Sequence, residues 1–364
     1  MIEIFTKIVE MFEQQPDITK MGFLSTFFKT TPDSFTDSEW VEYDIVRSGA
    51  EVAPVVRNLS TGAVTIVEDE FTNKRMPFPV YSLDAPAQLA SLMQRMPGES
   101  AYQTGRVNWM GRLAQKLVSL FAKMSRMIRY SIELQASQVL QTGTLTLTDE
   151  DGNPTYELDF KPKATHFPTV TISWGDTGSD PLADIRALMS EIRKDGYADV
   201  KTLVFGETAW EKFYENSWVQ ENLKRDNLGM GALDPHLVDK GAGYMGYIFV
   251  GAYRLDLYVY DAFYTPWGTN EKRNYLDPAK VLFLPSLTQL DFRRFFGGIP
   301  AGKVDPVFDP LFGNKIPISN EYDFKARVYF DEKRDTYFGE IKSRPFMCPV
   351  SIDRYGCLTT VAAP

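Results

Sequence analysis

The rhythm of apolar and polar positions changes several times along the chain, and each change predicts an element. Within residues 2–14, Phe5, Ile8, Val9 and Phe12 fall at i, i+3, i+4 and i+7, the spacing of a short amphipathic helix, which Pro16 and Asp17 stop. A second apolar cluster, MGFLSTFF at 21–28, runs up to a break at Pro32. An arm with two such clusters needs a surface to lie on, either its own domain or a neighbouring copy. From 40 to 84 the pattern alternates, with WVEYDIV, EVAPVVRNL and GAVTIVED as short strand-like runs between turn residues. Pro54, Pro77 and Pro79 keep these strands at an edge or outside a regular sheet. The stretch predicts a long hairpin. Two strands alone are marginal in water, so the hairpin needs a partner surface.

Residues 106–141 carry the clearest pattern, with one Gly and no Pro. Met110, Leu113, Leu117, Leu120, Met124, Met127 or Ile128, and Leu134 recur at helical spacing. At 1.5 Å per residue the predicted helix is about 54 Å long, beyond the usual helix of a globular domain. It lacks the sustained heptads of a coiled coil and reads as a spine that crosses the subunit. Arg106, Arg112, Lys116, Lys123, Arg126 and Arg129 give it a positive face, opposed only by Glu133.

After the helix, GTLTLTDEDGNPTYELDF at 143–160 is a hairpin signature around Asp151, Gly152, Asn153 and Pro154. HFPTVTISW reads as a strand. Asp180 before Pro181 predicts a helix N-cap with proline at the first helical position, and Gly196 reads as that helix's C-cap. VKTLVFG is a buried strand, ETAWEKFYENSWVQENLKR one helix, YIFVGAYRLDLYVYDAFYT two strands and KVLFLPS another. The closing residues return to alternating strands. The fold class is therefore α+β, with a mixed α/β unit in the middle.

Composition fits a folded domain: 364 residues, 44% of them hydrophobic. The net charge of −9 argues against coating by nucleic acid along the whole surface. Cys348 and Cys357 are spaced as neither a CxxC redox pair nor a zinc knuckle, and are expected to be reduced, part-buried thiols. His166 and His236 are the only histidines, which leaves little for a histidine metal site or a serine–histidine triad. The N-terminus has no basic, signal-like start, and no apolar run approaches the length of a membrane span. GAGYMG leads into a strand, whereas a dinucleotide fingerprint must open a helix. The acids of VEDEF and TDEDGN sit at predicted hairpin tips, where solvated turn carboxylates are ordinary. No catalytic, cofactor-binding or metal residue is expected, and no cofactor.

What the chain invests in is an arm, an outlying hairpin and an oversized helix. That order, with APVVRNLSTGAVTIVEDE ahead of the helix, ISWGDTGSDPLADI and DVKTLVFGETAWEKF opening the α/β unit, GYMGYIFVGAYRLDLYVYDAFYTP, and the closing IKSRPFMCPVSID, resembles tailed-bacteriophage major capsid proteins of the HK97 fold. It is most similar to the lambda-like major capsid protein E family. The resemblance covers essentially the whole chain.

It implies an N-terminal arm at 1–43 and an extended E-loop at 44–84. It implies a peripheral (P) domain over 85–179, with spine helix 106–141 and hairpin 143–160, an axial (A) domain over 180–300, and return strands of the P domain at 301–364. The implied function is a structural one: self-assembly into pentamers and hexamers of an icosahedral shell around double-stranded DNA, without sequence-specific binding. The implied partners are the chain itself, a scaffold protein, a portal and a decoration protein, with no membrane. The implied location is the virion, after assembly in the bacterial cytoplasm.

The E-loop would lie across a neighbouring subunit. Glu68, Asp69 and Glu70, with Lys74 and Arg75, would set its register there, and Arg112 and Lys116 are candidate partners. Lys74 is the only lysine of the E-loop segment, and no covalent crosslink through it is expected. Gly105 and Gly143 bracket the spine helix as candidate hinges, Gly143 also suiting a plain C-cap. On the residues alone two rivals stay open: a soluble α/β enzyme with an unrecognised acidic site, and another phage structural protein from a tail or connector.

Overall fold

The computed structural model describes residues 22–36, 38, 40–46, 71–88, 109–224, 231–238, 241–299, 324–334 and 336–362. The predicted helix at 2–14, the runs EVAPVVRNL and GAVTIVED, and Gly105 lie outside these residues.

One helix, Trp109–Thr142, forms the spine, against the predicted 106–141. Its first half is two-faced. Leu113, Leu117, Phe121, Met124, Ile128 and Ile132 are buried, while Gln115, Ser119, Lys123, Arg126 and Tyr130 are exposed. Its second half is nearly enclosed, and Glu133, Gln135 and Ser137 are buried with the apolar residues. Buried polar groups need partners. Ser137 Oγ donates to the Tyr275 carbonyl, Gln141 Nε2 donates to the same oxygen at 2.7 Å, and Gln135 Nε2 donates to Tyr81 Oη at 2.9 Å.

Strands Lys325–Asp331, Thr336–Ser343 and Tyr81–Gln88 form an antiparallel sheet in that order, packed on the spine helix. Pro86 is tolerated because Tyr81–Gln88 is an edge strand. A Cβ on Gly339, in the middle strand, would stand 2.9 Å from Phe121 Cε1 and 3.5 Å from Leu117 Cδ2. Glycine there lets the helix settle directly onto the sheet. A second three-stranded sheet joins Phe35–Thr36, Phe292–Gly297 and Pro345–Pro349.

The central unit is a six-stranded mixed sheet. Its order is Gly356–Thr359, Lys280–Pro285, Val200–Phe205, Tyr253–Tyr260, Ala242–Val250, Gly231–Val238. Only Val200–Phe205 and Tyr253–Tyr260 pair in parallel within it. Both faces are covered. Leu203, Phe205, Val281 and Phe283 share a core with Ile185, Leu188 and Phe213 from helices Pro181–Gly196 and Glu207–Glu215. Val204, Leu282 and Leu284 join the larger core around the spine helix. Burial on both faces is why KVLFLP is apolar without alternation.

Several details depart from the sequence pattern. The N-cap holds: Asp180 Oδ1 accepts from Ala183 N at 3.0 Å, and Pro181 opens the helix. At the other end it is Tyr197, at φ 49°, that takes the left-handed cap position. Gly196 is required by crowding, because a Cβ there would stand 2.2 Å from the Asp353 carbonyl oxygen. The single helix predicted after Gly206 breaks at Asn216 into Glu207–Glu215 and Ser217–Lys224. HFPTVTISW is not a strand. It runs beside Gly356–Thr359 through one bridge, Thr169 to Thr359, and bonds such as Val170 N to Thr359 O at 3.0 Å. Pro168, having no N–H, contributes only its carbonyl there. The hairpin's two described arms, Trp40–Val46 and Phe71–Pro77, pair antiparallel, with Trp40 opposite Pro77.

Candidate functional site

The surfaces that can act are contact surfaces, and one buried carboxylate organises them. Glu133, the lone acid on the basic helix, is buried. Its Oε1 accepts from Leu24 N and from Tyr260 Oη, each at 2.8 Å, and its Oε2 accepts from Ser25 N at 2.9 Å. One side chain therefore ties the arm, the spine helix and the central sheet together. Gly22 is needed beside it, with φ 108° and a would-be Cβ only 2.4 Å from Glu133 Oε2. Burial first, then the neighbouring Glu133 charge, push the Tyr260 phenol far above its ordinary range. Phe23 rests on Tyr258 and Tyr260, with centroids 5.3 and 5.9 Å apart, and Phe28 stacks on Phe292 at 5.1 Å. Of the two surfaces left open for MGFLSTFF, its described residues use their own subunit.

The other sequence-singled residues are spread out. Arg112 and Lys116, one helical turn apart on the spine, are partly exposed. Lys74 and Arg75 lie on Phe71–Pro77, opposite Tyr43 and Glu42. Glu68, Asp69 and Glu70 lie outside the described residues. Gly143 has φ 66° and donates its N–H to Val139 O at 2.9 Å, a left-handed helix C-cap, and a Cβ there would meet Pro162 Cγ at 2.4 Å.

The outer face of the sheet Lys325–Asp331, Thr336–Ser343, Tyr81–Gln88 went unnoticed in the sequence. Register places Lys325 opposite Lys342, and Arg327 opposite Glu340. Burial raises the Glu340 carboxyl, but Lys342 and Arg327 outweigh it and hold the group below its ordinary value. The only sequence signal was the alternation of charge in EYDFKARVYF and FGEIKS. It could not say that these runs pair.

His166 is buried, with Nδ1 2.9 Å from Tyr355 O and Nε2 3.0 Å from Asp195 Oδ2. Asp195 also accepts from Lys163 Nζ at 2.7 Å. His236 lies on strand Gly231–Val238. Cys348 and Cys357 are free and fully buried, where part-burial was expected. Burial pushes both thiols up to about 12. Among the described residues no group of three or more His, Cys, Asp or Glu is placed to hold a metal ion, and no helix is long and apolar enough to cross a membrane. Large apolar side chains do face solvent, notably Trp218, Phe263 and Trp267. Such exposure suits contact with another protein surface.

A long spine helix between two small sheets, beside a six-stranded α/β unit and with an outlying two-stranded ladder, is the architecture of HK97-like capsid proteins. The chain is similar to a proposed capsid protein of an E. coli CFT073 prophage, at 14% identity and TM-score 0.65, covering 97% of this chain and 98% of that one. It is also similar to the capsid protein of cyanophage P-SCSP1u, at 10% identity and TM-score 0.50, covering 96% and 91%. A phage-related protein from Bordetella bronchiseptica RB50 aligns at 11% identity and TM-score 0.50, over 98% of each chain. No curated protein matches the sequence. The chain belongs to the phage major capsid protein E family, whose model matches residues 6–321. It is a structural protein of a phage capsid.

Proposed function

We propose that this chain is a non-enzymatic shell subunit that assembles into pentamers and hexamers closing around double-stranded phage DNA. The reading places it in the virion, after assembly in the host cytoplasm with a scaffold protein, a portal and a decoration protein as partners. Residues 85–179 and 301–364 serve as the P domain and 180–300 as the A domain. Gly105 and Gly143 are the points at which the spine adjusts between five-fold and six-fold settings.

One observation beyond family membership carries the reading. The ladder of Trp40–Val46 and Phe71–Pro77 pairs with no other described strand, and its Trp40 is exposed. Two strands are marginal in water, so this pair needs a surface that no described sheet supplies by strand pairing. A neighbouring subunit supplies one, with Glu68, Asp69, Glu70, Lys74 and Arg75 setting register and Arg112 and Lys116 as candidate partners. Many modest contacts of this kind add up through multivalency, and closed symmetry ends growth.

Gel filtration with negative-stain microscopy tests the proposal. Shells of tens of nanometres are expected from the full chain. Deleting residues 58–76 is expected to leave a soluble subunit that forms no closed shells. Normal particles from that deletion refute the E-loop role, and a monomer at high concentration refutes the shell.

A further inference from the structure

Across the outer face of the sheet Lys325–Asp331, Thr336–Ser343, Tyr81–Gln88, three cations crowd one carboxylate. Glu340 is used twice: Arg327 Nε donates to its Oε2, and Lys342 Nζ lies 2.9 Å from its Oε1. Ser82 Oγ stands 3.5 Å from the same Oε1. The third cation, Lys325, has a buried Nζ with no hydrogen-bond partner. It also sits directly opposite Lys342. Like charges facing each other across an antiparallel pair are unfavourable, and a buried ammonium without an acceptor costs more. Two further described acids share this face: Asp331, six residues or about 20 Å along the strand from Lys325 and within 3.7 Å of Arg334, and Asp84, on the far edge strand opposite Glu340. Asp84 is therefore two strands, or about 10 Å, from the strand of Lys325. Tyr329 and Phe338 stack beside the cluster at 5.4 Å, with Arg327 over the Tyr329 ring at 5.3 Å. This aromatic floor lowers the local dielectric and strengthens any charge pair formed there. Burial, then the Arg327 and Lys342 charges, draw the Lys325 amine below its ordinary pKa. Among the described residues no anion partners the Lys325 ammonium.

We propose that the Lys325–Arg327–Lys342 face receives the acidic run Glu68, Asp69, Glu70 of a second copy of this chain. Lys325 supplies the ammonium that the run satisfies. The inference rests on the shell reading and gives the run a different acceptor from Arg112 and Lys116. Charge complementarity favours a second copy, because three consecutive acids meet three clustered cations. The acids directly precede Phe71, the start of a strand whose two-stranded ladder joins no other described strand. That strand spans about 24 Å to Pro77 at 3.4 Å per residue, so its Phe71 end lies well away from the buried Phe78. Nucleic acid is the weaker occupant, since a chain of net charge −9 repels phosphate and Glu340 lies in the middle of the cluster.

The test compares two stabilities of the full chain: urea unfolding of the dissociated subunit, and the free-subunit concentration in equilibrium with shells. Lys325→Met is expected to leave the subunit as stable as wild type or more so, because an unpaired buried charge is gone. It is expected to raise the free-subunit concentration about tenfold, as for loss of one charge-assisted contact per subunit. Glu70→Lys is expected to weaken shells likewise, and Lys325→Glu combined with Glu70→Lys to restore them in part. Lys325→Met shells at the wild-type free-subunit concentration overturn the assignment, as does a loss of subunit stability that accounts for the loss of shells. Duplex DNA binding by dissociated subunits that Lys325→Met abolishes, with shells unchanged, assigns the face to phosphate and overturns it too. A wild-type chain that forms no shells fails at the earlier step and removes the shell reading itself.

Discussion

Tyr260 donates its hydroxyl to Glu133 across 2.8 Å, joining the last residue of a sheet strand to the second half of the spine helix. Two backbone amides of the arm, Leu24 and Ser25, share the same carboxylate. Glu133→Ala leaves three buried donors without an acceptor. A loss of about 3 kcal/mol in subunit stability is expected by urea unfolding. Glu133→Gln keeps an acceptor oxygen and is expected to lose less. Equal losses for both variants would mean that packing, and not hydrogen bonding, holds the arm.

Gly339 and Phe121 provide a steric test. Gly339→Ala places a methyl 2.9 Å from Phe121 Cε1, and overpacking of this kind costs about 1–3 kcal/mol. Combining it with Phe121→Leu is expected to cost less than the sum of the two single changes, because the smaller side chain makes room. Strict additivity in thermal melts would show that the ring and the glycine do not meet.

Acid stability follows from Asp195. The Lys163 hydrogen bond first, and then His166, hold this carboxyl below its ordinary range against the opposing effect of burial. A depressed folded value means the contribution is complete above the ordinary carboxylate pKa of about 4 and is lost as pH falls through the lower folded value. Asp195→Asn is therefore expected to destabilise the subunit at neutral pH and to flatten the stability curve below about pH 4. Parallel wild-type and variant curves through that window would remove Asp195 from the account.

Cys348 and Cys357 are buried, with thiols pushed up to about 12. The thiolate is the reactive form, so the native subunit is expected to resist iodoacetamide at pH 8, while urea exposes both sites to labelling. Mass spectrometry that finds either cysteine alkylated in the native state contradicts this burial.

The sequence made legible what rests on local pattern. The spine helix follows from apolar spacing with no breaker. Asp180 and Pro181 announce a helix start, and KVLFLP announces a strand buried on both faces. What stayed hidden depends on distant partners. Glu133 looked like a counter-charge on a basic face, because the amides it serves lie 109 and 108 residues away. Nothing in the local pattern joins Lys325 to Glu340, whose strands meet only through sheet register. Gly196 looked like a left-handed cap, but the carbonyl that forbids a side chain there belongs to Asp353. The run after His166 has strand residues but a proline at the position that would have to donate.

The Glu133 tie also has a mechanical meaning. A pull on the chain before Gly22 enters the subunit at a carboxylate gripped from three elements, not at the free end of a strand. The Leu24 and Ser25 bonds must then give way together, as a rivet fails in shear, where a zipper would open link by link. Load entering there would thus pass through Glu133 into the spine helix and the central sheet before the arm could peel.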